Sequence, residues 1–331
     1  MSSWGNSQVR QRIRLGFHQD TPAGTLAPKP LPATVVSAYY EMPSKYTPDK
    51  YRLWLRYFLE IIDCHLVFFT DETMKEYVEE CRRPFMEKTK LIVLPRSDWV
   101  SNTKFSEQFW RQQHNLDPEK NIHSTELYKV WYEKKEFVRR AIALNPWAHT
   151  EFLWIDAGSF RSPEFARLCR SFPYADRIPT NKIMLNNVGE FTLQDENWAV
   201  IGGERFQGNT DGRMRIGGGC IAASKEMMLK YIQHYDTVFD KYIRAGLFAG
   251  KDQIVMNTVA LEYREDISLV EPKPIGQEFW FYLHLYLGAA PEIYARMRDK
   301  IQQKKKTTYL ELLGEHEGVS QPRAPVVARR L

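Results

Sequence analysis

Apolar positions along the chain fall into short β-branched runs separated by stretches of helical period. Ala33–Tyr40 is a short apolar, β-branched run, which predicts a buried strand. From about Lys50 to Ile62 the apolar positions include Leu53, Leu55, Tyr57, Phe58 and Ile61, and an amphipathic helix is expected. His65–Thr70 predicts a second strand. Asp71 and Glu72 then suit the positive end of a helix reaching about Arg82. Leu91–Leu94 reads as a third strand closed by Pro95, whereas residues 96–122 are polar and aromatic without a clear period. Ser124 reads as the N-cap of a long helix to Ala143, ended by Asn145-Pro146. Glu151–Ile155 is a fourth strand that runs directly into Asp156. Further strands are expected at Ile183–Leu185, Trp198–Ile201, Gly217–Ala222 and Ile267–Val270, with helices from Ser224 to about Tyr242 and from Lys251 to Tyr263.

The early β-α-β-α-β-α-β order predicts an α/β fold: a central, mostly parallel, doubly wound sheet flanked by helices. In such sheets ligands sit beyond the carboxyl ends of the strands. That directs attention to Ala38–Glu41, Thr70–Glu72 and Asp156–Arg161. Residues 1–33, broken by Pro22, Pro28, Pro30 and Pro32, are expected to form a flexible arm. Residues 34–290 are expected to form one domain, and 291–331 a C-terminal helix and basic tail.

Composition narrows the class. With 43% hydrophobic and 13% aromatic residues in 331, the chain is neither disordered nor collagen-like. No apolar run approaches the ~18 residues of a membrane span, so no transmembrane segment is expected. Cys64, Cys81, Cys169 and Cys220 are far apart, which argues against a zinc ribbon and for buried thiols in a reducing compartment. No apolar signal region is visible near the start, and the expected address is cytoplasmic. The net charge of +5 resides in the two ends, as Arg10, Arg12, Arg14 and Lys29, and as Arg323, Arg329 and Arg330. The middle is nearly neutral, so nucleic acid is not an expected partner.

The turn after the first strand contains no glycine, which disfavours a dinucleotide site. There is no Walker loop, no nucleophile elbow and no helical histidine pair. What remains is the segment after the fourth strand. An apolar strand ending in Asp156, with small residues at Ala157, Gly158 and Ser159, brings a carboxylate to the lip of the sheet. It would hold a metal–diphosphate or a ribose hydroxyl, or else cap its own turn. On the preceding helix Leu127, Val130, Trp131, Phe137, Val138 and Ala141 form an apolar stripe, and Lys134 falls within it. A lysine there either aims at the same site or snorkels to the rim. Lys135 is expected on the solvent face.

Several of these segments together resemble one family. They are Thr34–Tyr40, Leu66–Asp71, Leu127–Trp131 with Lys134, Trp154–Arg161, Gly217–Ala222, and Lys251–Gln253 with Asn257. The chain is similar, over roughly 34–290, to the HtrL/YibB (WlaTC/HtrL) family of putative glycosyltransferases. The resemblance implies a GT-A-like nucleotide-sugar transferase, which holds a divalent ion on the donor diphosphate through a DxD motif. Asp156 matches the first Asp of that motif, and Gly158 stands at the second. A Mn²⁺ or Mg²⁺ ion is accordingly implied, held by Asp156 and by a late histidine, for which His284 is the candidate. The apolar neighbours of His284 equally suit a satisfied core histidine. Asp252 resembles an Asp that activates the acceptor; it also suits a helix start. The implied donor contacts are Tyr39, Thr70, Asp71, Lys134, Ala157, Gly158, Arg161, Gly218, Gly219 and Gln253. The implied partners are a nucleotide-sugar donor and an unknown hydroxyl acceptor. Because Gly158 replaces a carboxylate, a nucleotide-sugar-binding protein without catalysis is the alternative.

Overall fold

In the computed structural model, residues 32–207, 213–271, 279–293, 295–296 and 299 are described. The expected arm and basic tail lie almost wholly outside them. The first half of the chain forms β1 (Thr34–Ala38), α1 (Pro48–Ile61), β2 (His65–Thr70), α2 (Glu72–Arg82), β3 (Thr89–Val93), α3 (Val100–Lys104), α4 (Glu107–Leu116), α5 (Thr125–Leu144) and β4 (Glu151–Ile155). The second half forms α6 (Pro163–Leu168), β5 (Ile183–Asn187), α7 (Leu193–Glu196), β6 (Trp198–Ile201), β7 (Glu204–Gln207), β8 (Ile216–Ser224), α8 (Lys225–Arg244), α9 (Asp252–Glu262), β9 (Ile267–Val270) and α10 (Tyr282–Gly288).

Seven strands make one sheet, ordered β3-β2-β1-β4-β8-β5-β9. The expected mostly parallel sheet is what forms: β8 alone runs against its neighbours β4 and β5. Both faces are covered, as parallel strands require. Val36, Val67, Phe69, Phe152 and Trp154 point into a core beneath α5, α8 and α9. Their neighbours Val35, Leu66, Phe68, Leu153 and Ile155 point into a second core beneath α1, α2 and α10. The expected caps form: Ser124 Oγ accepts from Leu127 N–H at 3.4 Å, and Asn145 ends α5 in the left-handed region with φ 32°.

Two segments depart from the sequence pattern. Residues 96–122 hold α3 and α4; Ser106 caps α4 locally by accepting from Phe109 N–H at 3.2 Å, whereas α3 draws its cap from elsewhere in the chain. The α3 N-terminus is capped by Glu133 of α5, which accepts from Val100 and Ser101 N–H at 3.0 Å each. Trp198–Ile201 lies outside the main sheet and pairs only with β7. Gly202 and Gly203 turn that hairpin at φ 56° and 83°, values few other residues adopt.

Among the described residues no helix is long and apolar enough to cross a membrane.

Candidate functional site

The strand order reverses between β1, followed by β2 and β3 on one side, and β4 on the other. An open sheet leaves a crevice at the carboxyl ends of two such strands. A cleft lies there, floored by Ala38, Tyr39 and Tyr40 after β1 and by Asp156 through Ser159 after β4. Leu127, Val130, Trp131 and Lys134 of α5 form one wall; Tyr51 of α1, Arg161 and Phe281 form the other.

Asp156 does not cap its own turn through its side chain. Its Oδ1 accepts from Trp154 Nε1 at 2.8 Å and pairs with Lys134 Nζ at 2.9 Å. Lys134 does not snorkel: its Nζ also reaches Asp252 Oδ2 at 2.7 Å and the Gly218 carbonyl at 3.1 Å. Burial opposes the ammonium charge, but Asp156 and Asp252 more than offset it and hold the lysine pKa above its usual value. Lys134, implied as a donor contact, does line the cleft. All three of its N–H donors are spent inside the protein, so it acts as a tie between two carboxylates.

Asp252 is the first residue of α9 and is 4% exposed. Its Oδ1 accepts from Gln253 N–H at 2.8 Å while Oδ2 holds Lys134. Burial raises its pKa, with Lys134 acting in the opposite sense. It is not among the residues that line the cleft. Gly218 permits this arrangement, since a Cβ there would come within 2.7 Å of Asp252 Oδ2.

The glycine run reaches the site because β8 is reversed. Its amino end, rather than its carboxyl end, meets the carboxyl end of β4, and Asp156 N–H donates to the Gly219 carbonyl at 2.9 Å. A Cβ on Gly219 would stand 3.7 Å from Asp156 Oδ2, 3.8 Å from His284 Cε1 and 3.8 Å from Ser159 Oγ. Ser159 Oγ and both ring nitrogens of His284 are buried without a hydrogen-bond partner of good geometry. His284 is thus a buried histidine but not a satisfied one. Burial pushes its pKa down to about 4, against weaker opposing effects of Asp156 and the Gly219 carbonyl, so the ring is neutral near pH 7. Buried polar atoms without partners call for an explanation.

Other expected contacts are dispersed. Thr70 donates to the Tyr39 carbonyl at 2.8 Å. Asp71 caps α2 by accepting from Met74 N–H at 3.2 Å. Gln253 donates to the Ile216 carbonyl at 2.9 Å. None of these three is among the residues that line the cleft. Tyr39, Ala157, Gly158 and Arg161 do line it. Gly158, however, faces the ring of Tyr51, 3.3 Å from where a Cβ would stand, so a carboxylate there would press on aromatic rings. Lys135, expected on the solvent face, is buried instead. It pairs with Glu136 and Asp236 and lies 3.8 Å from the Tyr132 ring centroid.

Sequence reasoning named Ser159 only as a small residue beside Asp156, and Trp154 only within the quoted Asp156 segment. It missed Tyr46, Tyr51 and Trp54 altogether. Their signal was a cluster of aromatics at the start of α1, which periodicity alone assigns to the core.

Among the described residues, no three His, Cys, Asp or Glu side chains gather closely enough to hold a metal unaided. An ion here would need ligand oxygens to complete its shell, as Mg²⁺ commonly does with phosphates.

Residues 34–249 match the family described as "Bacterial protein of unknown function (HtrL_YibB)". No curated protein sequence matches the chain. Among solved structures it is similar to mouse xyloside xylosyltransferase 1 in its apo form. That likeness has 13% sequence identity and a TM-score of 0.39, and covers 74% of this chain and 86% of that one.

Proposed function

The chain belongs to the HtrL_YibB family, and from that premise we propose that it is a glycosyltransferase moving a sugar from a nucleotide-diphosphate donor to a hydroxyl acceptor. The observation that carries this reading is the state of Asp156. One carboxylate oxygen is tied to Trp154 and Lys134, and the other is left at a recess shared with unpartnered Ser159 Oγ and His284. That recess opens at the strand-order reversal, where a sheet of this kind takes its ligand.

The residues at the recess fit a divalent ion. A carboxylate oxygen and a neutral imidazole are suitable donors, and the ion would explain why buried polar atoms lack protein partners. Asp156 and His284 would hold it, with Ser159 beside them. Bound Mn²⁺ or Mg²⁺ would neutralise charge on the departing diphosphate. The chain's own contribution is positioning. Lys134 holds Asp156 in one orientation and cancels part of its charge. Asp252 fixes Lys134. Trp131 and Tyr39 offer rings to a nucleobase or sugar, and the α5 wall excludes water.

A second reading is favoured by the enclosure of Asp252: a nucleotide-sugar-binding protein without transfer. One experiment addresses both. Thermal shift with UDP-, GDP- and CMP-sugars, each with Mn²⁺, Mg²⁺ or EDTA, is run on wild type and Asp156→Asn. We expect a metal-dependent shift for one nucleotide, lost in the variant, and hydrolysis or transfer of that donor. A shift without turnover over many acceptors would favour the binding protein. No shift with any nucleotide would sink both.

A further inference from the structure

Outside the metal recess, the outer wall of the cleft has an unusual make-up. Tyr46, Tyr51 and Trp54 pack edge-to-face, with ring centroids 5.0 to 6.0 Å apart. Cations lie on these rings. The Arg161 guanidinium is 4.6 Å from the Trp54 centroid and 4.8 Å from that of Phe281. Lys50 Nζ is 4.6 Å from Tyr46 and 5.3 Å from Trp54, and Lys45 Nζ is 5.7 Å from Tyr46. Most lysines and arginines that line the fold's helices have carboxylate partners. Among the described residues, Lys45, Lys50 and Arg161 have none within ion-pair distance.

Three cations sharing one aromatic cluster repel one another, and they are met by the ring faces and, for Arg161, by the Gly158 carbonyl 3.4 Å from its Nε. Such a surface is complementary to a ligand that carries both apolar ring faces and negative charge. Its extent indicates which ligand. Tyr51 and Arg161 line the cleft itself, whereas Tyr46, Lys45 and Lys50 lie outside its lining, with both lysines exposed. A chain of sugars carrying acidic groups is complementary to such a surface, laying C–H faces on the rings and acidic groups on the cations.

We propose that this shelf is the acceptor subsite, and that the acceptor is an acidic oligosaccharide. The inference rests on the transferase reading, and it moves Arg161 from the donor contacts to the acceptor's charge.

The test uses two probes of equal length on the full chain: a tetramer of galacturonic acid, and neutral maltotetraose. Binding is measured by calorimetry at low and physiological salt, beside the nucleotide-sugar that gives the largest thermal shift. The acidic tetramer should bind at least tenfold more tightly than the neutral one and weaken as salt rises. Lys50→Ala, outside the cleft lining, should weaken it about fivefold or more while leaving nucleotide-sugar affinity within about twofold, and Arg161→Ala should weaken it as well. Lys50→Arg should restore most of the loss. Equal binding of the two tetramers would overturn the proposal, as would no binding of either. Loss of nucleotide-sugar affinity in Arg161→Ala, with the tetramer unaffected, would return Arg161 to the donor. Tetramer binding in a protein that takes no nucleotide-sugar would leave the subsite standing and remove the transferase reading.

Discussion

Lys134 and Lys135 are neighbours on α5, both buried and both paired with two carboxylates, yet their surroundings differ in kind. The partners of Lys135 are Glu136, beside it, and Asp236 on α8, and Arg139 supports both, reaching Glu136 at 3.0 Å and Asp236 at 3.2 Å. That cluster has a spare cation, and Asp236 is partly open to water. The partners of Lys134 are Asp156 after β4 and Asp252 on α9, with the Gly218 carbonyl of β8. Among the described residues no second cation pairs with either carboxylate. A redundant ion pair belongs to packing between helices. A pair without redundancy, joining three distant segments beneath a cleft, defines the shape of a site.

The largest effect separates the two lysines directly. Lys134→Met should cost about 3–5 kcal/mol, because it leaves two carboxylates together without their cation. Lys135→Met should cost about 1 kcal/mol or less, since Arg139 remains and the aliphatic stem still covers Tyr132. Urea unfolding of both variants measures the difference; equal losses would erase the distinction.

Gly218→Ala comes next. The new methyl would displace Asp252, and a loss of about 1–3 kcal/mol is expected, together with a weakened nucleotide-sugar response. Stability near wild type with the response intact would show that Asp252 does not need its present position.

The smallest effect lies at the far end of the sheet, where neither lysine takes part. His149, bonded to Thr34 Oγ1 at 3.0 Å, and its neighbour His65 both have depressed pKa values, chiefly through burial. A histidine depressed in the folded state binds more protons when unfolded. Its stabilising contribution is therefore full above about pH 6.5 and declines as pH falls below that. Melting temperature should drop modestly from pH 7.5 to 5.5, and His149→Gln should flatten the slope. An unchanged slope would assign the dependence to other groups.

Much of the site could be read along the chain. The apolar run of β4 ending in Asp156, the lysine inside an apolar stripe and the glycine run are local patterns, and the structure gathers Asp156, Lys134 and Gly218 together. Thr70 and Asp71 were placed by topology and Gln253 by the resemblance; Thr70 and Gln253 donate to the Tyr39 and Ile216 carbonyls, and Asp71 caps α2. The aromatic shelf was not legible, because an aromatic residue at helical spacing looks the same in a core and in a cleft wall.

Secondary structure and fold class follow from short-range physics: β-branched runs, helical period, Ser124 as a cap and Asn145 as a stop. Those rules act within a few residues, so sequence alone determined them. The direction of β8 did not follow from any such rule. It depends on which neighbours the strand meets, and that reversal carries Gly218 and Gly219 to Asp156. The capping of α3 by Glu133, the burial of Lys135 and the unsatisfied ring of His284 likewise depend on groups far away in sequence. Only tertiary packing decides these, because a charge or hydrogen bond is stabilised by what lies within a few ångströms in space.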